Sequence, residues 1–365
     1  MASTRSGKYI RIADALKTEI ENGIYKTGDT IPTIRSLAEH YDCSPQTVNK
    51  ATSWLVQQGF LESRQGSGSI VSASRPETRL SLPMLIDRAR SHHLGTSGDP
   101  ENYHCRDIYL AYLLKSAEAG ITGEFIVFDK ENPAITPEFQ TALKNSSGFL
   151  VQGSLPSEWI EILAQNNIPT VFINRPLPET EIGRFGTVKI DESSLDNMAN
   201  YFVSLGHEKI LFAFSEELER TVILNLRLKR FQSALEKAFN SRPYELENYT
   251  FKPDDPEVLT HISTWIEKGF HAAFAFNDIT ALRLISLVRN AGFRIPEDFS
   301  VAGFDDLFPA TMSSPPLTTV SVDRSDLVSR SLNLLNKLIV EENQVQISES
   351  MPTRLQIRQS CFRCS

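Results

Sequence analysis

The sequence predicts an α/β protein with a two-lobed body of parallel β-sheets and a smaller N-terminal domain made of helices and one hairpin. Its 365 residues exceed the roughly 250–300 residues at which a single core stops growing, so two or more domains are expected. From residue 123 onward, short apolar segments alternate with helix-like segments, which is typical of parallel sheets covered on both faces. Residues 1–74 instead combine helical periodicity with a glycine-containing hairpin pattern.

The composition indicates a globular protein that we expect to be cytoplasmic. Hydrophobic residues make up 41% and charged residues 22% of the chain. No apolar run approaches the ~20 residues that cross a bilayer, and the N-terminus has no apolar segment of the signal-peptide kind. The four cysteines are too few and too scattered for a disulfide framework, which favours a reducing compartment.

Three helices are predicted in the N-terminal domain. Apolar residues recur every four positions over 12–20, which marks one face of a helix. A second, short helix is expected over 33–40, with Ile34 turned inward. Ser44 suits the N-cap of a third helix, and Pro45 suits its first position.

A hairpin is predicted after the third helix, with strands over 60–63 and 69–72 and a tight turn over 65–68. Two helices joined by a short turn and followed by such a hairpin form a winged helix-turn-helix. In that motif the N-terminal end of the second of these helices enters the major groove of DNA.

The segment from Tyr9 to Val71 resembles the DNA-binding domain of the GntR family of regulators. The resemblance rests on GDTIPTIRSLAEHYDCSPQTVNKATSWLVQQGFLESRQGSGSIV, residues 28–71. It implies DNA contacts from the two helices and the wing, at Thr33, Arg35, Ser44, Pro45, Gln46, Thr47, Asn49, Lys50, Gln65, Gly66, Ser67 and Gly68. Where the family commonly has arginine, this chain has Pro45 and Asn49, which removes cations that seek phosphate.

Two amide side chains on the third helix suggest what the operator contains. Gln46 and Asn49 can each pair bidentately with N6 and N7 of adenine, so we predict A·T pairs at the positions they reach. The alternative is that both are merely solvated polar residues, which are ordinary on an exposed helix face.

Charge is distributed unevenly along the chain. The net charge is −8, but residues 1–74 carry eight Lys and Arg against seven Asp and Glu, whereas the remainder carries 29 against 38. A DNA-binding domain is often strongly basic. The few cations of this nearly neutral domain must therefore be clustered on the side that faces DNA.

The body is expected over residues 80–365, after a short polar linker over 75–79 that follows the DNA-binding domain of residues 1–74. Predicted strands lie at 82–87, 123–128, 148–151, 169–173, 209–214, 272–276 and 300–304. Predicted helices lie at 134–145, 156–166, 193–205, 222–239, 256–268, 279–291 and 325–341.

Polar residues follow several of these strands, including Asp129, Gln152, Asn174, Asn277 and Asp305. In parallel α/β sheets, ligands bind beyond the carboxyl ends of the strands. Amides and carboxylates both give or take hydrogen bonds with hydroxyls, so the pattern indicates a polyol or sugar site. The alternative is that some of them cap the next helix. Asn277 can serve both purposes, and for Asp191 the cap is favoured.

The body also resembles the effector domain of the LacI/GalR family, which is similar to periplasmic sugar-binding proteins. The resemblance runs from about Pro169 to Ser360 and rests on segments such as IPEDFSVAGFDD, residues 295–306, and PLTTV, residues 316–320. It implies a two-lobed, periplasmic-binding-protein-like fold with ligand contacts at Arg227, Asn277, Asp305 and Asn174. Phe251 could stack on a sugar, although a place in the core is favoured.

The resemblance is weak over residues 80–122, where a polar stretch from Arg88 to Glu101 replaces the helix expected soon after the first strand. Val322 also stands where some members use a polar contact. The chemical identity of the ligand is therefore open. A GntR head on a LacI-type body is similar to the arabinose repressors.

These features predict a sequence-specific transcriptional regulator without enzymatic activity. We expect a repressor that binds double-stranded operator DNA as a homodimer, with affinity set by a sugar-like ligand through reciprocal coupling between the two sites. A non-sugar effector, or a body that only dimerises the head, is the alternative; a DNA-binding head on an enzyme is a further one.

No catalytic, cofactor or metal site is expected from the sequence. The chain contains no G-x-S-x-G, phosphate-loop or H-E-x-x-H motif. Cys361 and Cys364 form a lone C-x-x-C pair, whereas a structural zinc site needs four ligands.

Overall fold

The computed structural model describes residues 8–57, 59–64, 68–72, 80–88, 103–180, 182–216, 222–251, 257–341 and 346–363. Contacts divide the chain into two compact units. The head unit contains residues 1–82, 116–124 and 145–147, and the body unit contains residues 83–115, 125–144 and 148–365. In the described ranges, every helix is too short or too polar to cross a membrane.

The head unit contains the predicted helices and hairpin. Helices α1 (Lys8–Glu21), α2 (Ile34–His40) and α3 (Pro45–Gln57) precede the antiparallel strands β1 (Leu61–Arg64) and β2 (Gly68–Val71). Their apolar faces meet in one core, which includes Leu16, Leu37 and Leu55. The inward orientation predicted for Ile34 is wrong, because its side chain is 38% exposed and α2 buries Leu37 and Ala38 instead.

The first sheet of the body unit has six parallel strands in the order β13-β7-β6-β5-β3-β4. These are β3 (Met84–Asp87), β4 (Phe125–Phe128), β5 (Phe149–Gln152), β6 (Thr170–Ile173), β7 (Phe185–Asp191) and β13 (Gln346–Pro352). Helices α4 (Tyr103–Glu118), α5 (Pro137–Asn145) and α6 (Ser157–Gln165) connect them. Phe139 and Trp159 stack with ring centroids 4.0 Å apart in the core of this first lobe.

The second sheet has the strand order β14-β12-β11-β10-β8-β9, and only β14 runs antiparallel to its neighbour. Its strands are β8 (Lys209–Ser215), β9 (Glu245–Phe251), β10 (Ala272–Ala275), β11 (Ser300–Asp305), β12 (Thr318–Ser321) and β14 (Arg354–Gln356). The helices of this second lobe are α7 (Ser194–Ser204), α8 (Val222–Phe239), α9 (Val258–Glu267), α10 (Asp278–Asn290) and α11 (Phe308–Met312).

The chain passes between the two lobes after β7, after β12 and between β13 and β14. The second of these passages leads into α12 (Arg324–Val340), which packs on β5, β6 and β7 of the first sheet. Thr353, in the third passage, donates its hydroxyl to the carbonyl of Asp191 at 2.6 Å. The same hydroxyl lies 2.5 Å from that of Ser194, so the first and third passages are held together.

The two parallel sheets covered by helices confirm the predicted α/β class, but several elements were not predicted. Helix α4 was missed because it has apolar residues on opposite sides: Tyr112 is buried while Leu114 is 65% exposed. Strands β7, β9, β12, β13 and β14 were missed because polar residues interrupt their apolar character.

Candidate functional site

Three of the polar residues predicted to contact DNA also support the helices that carry them. The Thr33 hydroxyl accepts a hydrogen bond from the Ser36 amide at 3.2 Å and caps α2. The Ser44 hydroxyl accepts from the Thr47 amide at 3.2 Å and lies 2.8 Å from the Thr47 hydroxyl. These contacts fix the start of α2 and the start of α3, which is the end predicted to enter the major groove.

A second group of predicted DNA contacts is fully available to a partner. Arg35, Pro45, Gln46, Asn49 and Lys50 are all exposed, and within the described part of the head unit their side chains form no hydrogen bond or ion pair. Their contact with DNA remains a prediction.

The wing is described only in part. Gly68 opens β2 with a φ of 82°, a left-handed conformation that glycine adopts without strain. Gln65, Gly66 and Ser67, which were also predicted to contact DNA, lie outside the described residues.

In the body unit, a buried arginine joins several of the predicted ligand residues. Arg227 on α8 is 3% exposed, and its Nε donates to Oε1 of Glu192 at 2.8 Å. Its Nη1 donates to the carbonyl of Phe276, the residue before Asn277, at 2.6 Å. The guanidinium also lies 3.6 Å from the ring centroid of Phe304, the residue before Asp305. The fold therefore gathers Arg227, Asn277 and Asp305 at the carboxyl ends of β10 and β11.

Asp305 is a point of contact between the two lobes. His104, at the start of α4 in the first lobe, places Nδ1 3.3 Å from Oδ1 of Asp305. Arg324, the first residue of α12, places Nη2 3.7 Å from the same oxygen and 3.4 Å from Nδ1 of His104. Asp305 has a φ of 113°, a conformation that side-chain-bearing residues adopt at a cost and that concentrates at functional sites.

The charges of this cluster influence one another. Burial raises the pKa of Asp305, but His104 and the guanidinium groups of Arg324 and Arg227 outweigh burial and leave the pKa below its ordinary value. Burial lowers the pKa of His104, and the positive charges of Arg324 and Arg227 act in the same direction. An ionised aspartate therefore faces a neutral imidazole at neutral pH.

The residues predicted in the first lobe end three strands of its sheet. Gln152, at the end of β5, is 3% exposed; its Nε2 lies 3.7 Å from Sγ of Cys105, and its Oε1 has no partner among the described residues. Asp129 accepts from the amide of Glu131 at 3.0 Å and pairs with Arg88 at 3.4 Å.

Asn174 follows β6 and has a structural role. It adopts a φ of 49° and accepts from the amide of Ile190 at 3.1 Å, which ties the ends of β6 and β7 together. Asp87, which ends the buried strand β3 between β4 and β5, is a further acidic residue at this edge that was not predicted as a site residue.

The structure shows which of the two residues considered as helix N-caps, Asn277 and Asp191, acts as one. Asn277 caps α10, because its Oδ1 accepts from the amide of Thr280 at 2.8 Å. The cap predicted for Asp191 is wrong, because Ser193 occupies the N-cap position of α7. Oδ1 of Asp191 accepts from the amide of Ser193, which precedes the first residue of the helix.

Two further residues near the cluster are structural. Asp278 is fully buried and accepts from the Leu307 amide and the Thr319 hydroxyl. Burial and the nearby Asp305 carboxylate raise the pKa of Asp278 well above its ordinary value. Phe251 is 1% exposed in the core of the second lobe, against Ala213 and Ile262 among others, so its ring is covered by protein.

Sequence reasoning missed three members of the cluster: His104, Glu192 and Arg324. His104 follows the stretch that departs from the family pattern, and Glu192 follows a strand that was not predicted. Arg324 directly precedes the helix predicted over 325–341, but the buried position of its charge depends on packing between lobes. In the structure, Nη1 of Arg324 donates to the backbone carbonyl of Val322 at 2.8 Å, a contact that the residue type at position 322 does not signal.

Comparison with known protein families identifies two segments. Residues 8–71 match the gntR family of bacterial regulatory proteins, and residues 199–361 match the periplasmic binding protein-like domain. The first match covers the helices and hairpin of the head, and the second covers most of the second lobe with Arg227 and Asp305.

Relatives match either most of the chain or less than half of it. The arabinose metabolism transcriptional repressor of Halalkalibacterium halodurans is 23% identical over 354 residues, which are 92% of this chain and 90% of that protein. The HTH-type transcriptional repressor PurR of Mannheimia succiniciproducens is 33% identical over 161 residues, which are 44% of this chain and 48% of that protein.

Solved structures share the fold of the body. A LacI family transcriptional regulator from Enterococcus faecium with bound ribose aligns with a TM-score of 0.61 and 18% identity, over 78% of this chain and 100% of that chain. A dimeric Lac repressor aligns with a TM-score of 0.59 and 20% identity, again over 78% and 100%. The chain thus joins a head that matches the gntR family of bacterial regulatory proteins to a body that matches the periplasmic binding protein-like domain and shares its fold with LacI family regulators.

Proposed function

We propose that this regulator is a repressor whose affinity for operator DNA is controlled by a small sugar-like ligand bound between the two lobes. The buried cluster around Arg227 and Asp305 carries the proposal, because it places hydrogen-bonding groups at the carboxyl ends of parallel strands, where ligands of this architecture bind. The whole-length likeness to arabinose metabolism repressors and the ribose bound in a protein of the same fold support the ligand class.

The ligand set we propose comes from both lobes. Arg227, Asn277 and Asp305 would contact the ligand from the second lobe, and Gln152, Asn174 and Asp129 from the first. Phe251 does not belong to this set, because its ring is covered in the core. Since first-lobe and second-lobe residues meet at Asp305, a ligand there changes the relative free energies of open and closed lobe arrangements.

On the DNA side, we propose that residues 1–74 form a DNA-binding domain joined through a linker over 75–79 to the body over 80–365. The proposed contacts are Thr33, Arg35, Ser44 to Thr47, Asn49, Lys50 and the wing over 65–68. A homodimer would present two heads to a two-fold operator in the cytoplasm. The reciprocity of coupling requires that DNA weaken ligand binding by the factor by which ligand weakens DNA binding.

The test begins with selection of operator sequences from a random duplex library by the purified full chain. Fluorescence anisotropy then measures operator affinity with and without pentoses, hexoses and alditols, and a thermal-shift series with the same compounds reports binding. Ligand at 100 times its Kd stabilises the folded protein by about 2.7 kcal/mol. We expect at least one sugar to shift the melting temperature and to weaken operator binding.

Two variants separate the two sites in this experiment. Arg35→Ala should weaken operator binding and leave the sugar-induced shift unchanged, whereas Arg227→Ala should abolish the shift. A well-folded protein that binds its operator but responds to no sugar would contradict the proposal and favour a body that only dimerises the head or binds a non-sugar effector.

A further inference from the structure

The cluster at Asp305 contains charges that already balance one another. Arg227 pairs with Glu192 at 2.8 Å, and Arg324 lies 3.7 Å from Asp305. The side chains of Arg227 and Arg324 are 4% and 10% exposed, so both guanidinium groups lie away from bulk water. His104, held neutral by its surroundings, adds hydrogen-bonding capacity without charge. The cluster as a whole is therefore close to neutral.

Two unsatisfied polar groups are nevertheless present, one within the cluster and one at the end of β5 in the first lobe. Nε of Arg324 is buried and has no hydrogen-bond partner among the described residues, although Nη1 and Nη2 of the same side chain are occupied. In the first lobe, Oε1 of Gln152 is buried and likewise has no partner within the described ranges. A buried donor or acceptor left unpaired costs about 1–3 kcal/mol, so both groups are expected to gain from a bound ligand.

The unsatisfied groups are a donor and an acceptor, and a hydroxyl can serve both. An alcohol oxygen accepts from an N–H while its proton is donated to a carboxylate or an amide oxygen. A phosphate or carboxylate on the ligand would instead add a charge that the cluster, with its guanidinium groups already paired, does not compensate. Burial of such a charge is strongly unfavourable.

We propose that His104, Asp305 and Arg324 act together as specificity-determining residues that select an uncharged polyol and reject sugar phosphates and sugar acids. This inference rests on the proposed function, in which the cleft between the lobes holds the effector. His104 belongs to the first lobe and Asp305 to the second, so the selecting group is complete only when the lobes are together. A ligand hydroxyl that bonds to these three residues therefore stabilises the closed arrangement of the lobes, so ligand selection and lobe closure depend on the same contacts.

Isothermal titration calorimetry on the full chain tests the assignment with matched compounds. The probes are arabinose, ribose and glucose, each beside its terminal phosphate, together with arabinonate and gluconate. At least one neutral sugar should bind, and its phosphorylated and carboxylated counterparts should bind roughly tenfold or more weakly. An anionic counterpart that binds as tightly as its neutral parent, or more tightly, would overturn the assignment.

Variants of the cluster identify the residues responsible. Arg324→Gln and His104→Phe should each weaken binding of the neutral sugar by roughly tenfold or more, and His104→Asn, which keeps a hydrogen-bonding group, should recover part of the loss. Asp305→Asn removes the negative charge that balances Arg324. The difference in affinity between the neutral sugar and its phosphate should therefore be smaller in this variant than in the parent chain. Arg330→Gln is the matched control, because Arg330 lies on the same helix and pairs with Asp326 at a 39% exposed position.

Folding and function are checked in the same samples. A circular dichroism spectrum and a urea transition like those of the parent chain show that the body of a variant is folded, so loss of sugar affinity in such a variant reports on the cluster. Unchanged affinity in both Arg324→Gln and His104→Phe would overturn the assignment while leaving the proposed function intact. If neither neutral nor charged sugars bind the parent chain, the proposed function itself fails, and this assignment fails with it.

Discussion

The polar residues proposed to contact DNA and those proposed to contact the effector are held in opposite ways. On α3, Gln46 and Asn49 are exposed and form no side-chain hydrogen bond within the described part of the head unit. In the body unit, Arg227 is 3% exposed and donates to Glu192, which lies in the first passage between the lobes. Gln46 and Asn49 can therefore change with little effect on folding, whereas Arg227 cannot change without disturbing its partners.

Because of this difference, a substitution on α3 of the head and a substitution in the buried cluster of the body test different properties. An exposed residue reports on binding alone, because its removal costs the folded state little. Removal of one member of a buried ion pair leaves the other charge unpaired and destabilises the protein. The four predictions that follow probe this contrast.

The largest effect is expected for Glu192→Ala, which leaves the Arg227 guanidinium buried without its carboxylate. We expect the free energy of unfolding of the body to fall by about 3–5 kcal/mol, measured by urea denaturation followed by circular dichroism. The matched control is Asp196→Ala, which breaks the 27% and 38% exposed pair with Arg230 and should cost about 0–1 kcal/mol. An equal decrease in the free energy of unfolding in the two variants would contradict the contrast between buried and exposed ion pairs.

The next largest effect is a pH dependence of the free energy of unfolding that arises from His207. This histidine is buried between the second lobe and the C-terminal segment. Burial lowers the pKa of His207 from 6.5 to about 4. The unfolded chain therefore binds a proton that the folded chain excludes, and stability is lost as pH falls from about 6.5 to about 4.

Urea denaturation at a series of pH values measures this loss. His207→Gln should lose roughly 3 kcal/mol less than the parent chain over that interval. His40→Gln, on an exposed position of the head, should follow the parent curve. Parallel pH profiles of the parent chain and His207→Gln would show that this histidine does not titrate as its burial implies.

A smaller effect, confined to binding, is expected on α3. Gln46→Ala and Asn49→Ala should each weaken binding to the selected operator by about 1–3 kcal/mol and relax the preference for A·T at one position, without a change in melting temperature. Asn22→Ala, an exposed amide outside α2 and α3, is the control. If both α3 variants bind the operator as the parent does, the two amides are solvated surface residues.

The smallest effect is expected at Thr33, which combines both kinds of role. Thr33→Ala removes the cap of α2 and should reduce the stability of the head by about 0.5–2 kcal/mol, seen as faster amide hydrogen exchange in α2. Thr27→Ala, at an exposed loop position, should leave the exchange unchanged. Unaltered exchange in Thr33→Ala would mean that the cap bond contributes nothing measurable.

The elements predicted from sequence are those whose signals are local. Helix α8 was predicted with the bounds that the structure shows, because its apolar periodicity is complete within one segment. Strands β5, β6, β10 and β11 were found because they are buried along their whole length and read as continuous apolar runs. Helix α4 and strand β9 were not found, because their burial depends on neighbours that are distant in sequence.

The sequence by itself determined the α/β class, the winged-helix head with its capped helices, and the placement of Asp305 and Asn277 just after apolar strands. These follow from short-range periodicity, caps and strand ends, which the chain encodes over a few residues. The tertiary structure alone decided that His104, Glu192 and Arg324 complete the site. Their contacts join residues between 19 and 220 positions apart, and such pairings depend on how two sheets and three connecting segments pack together.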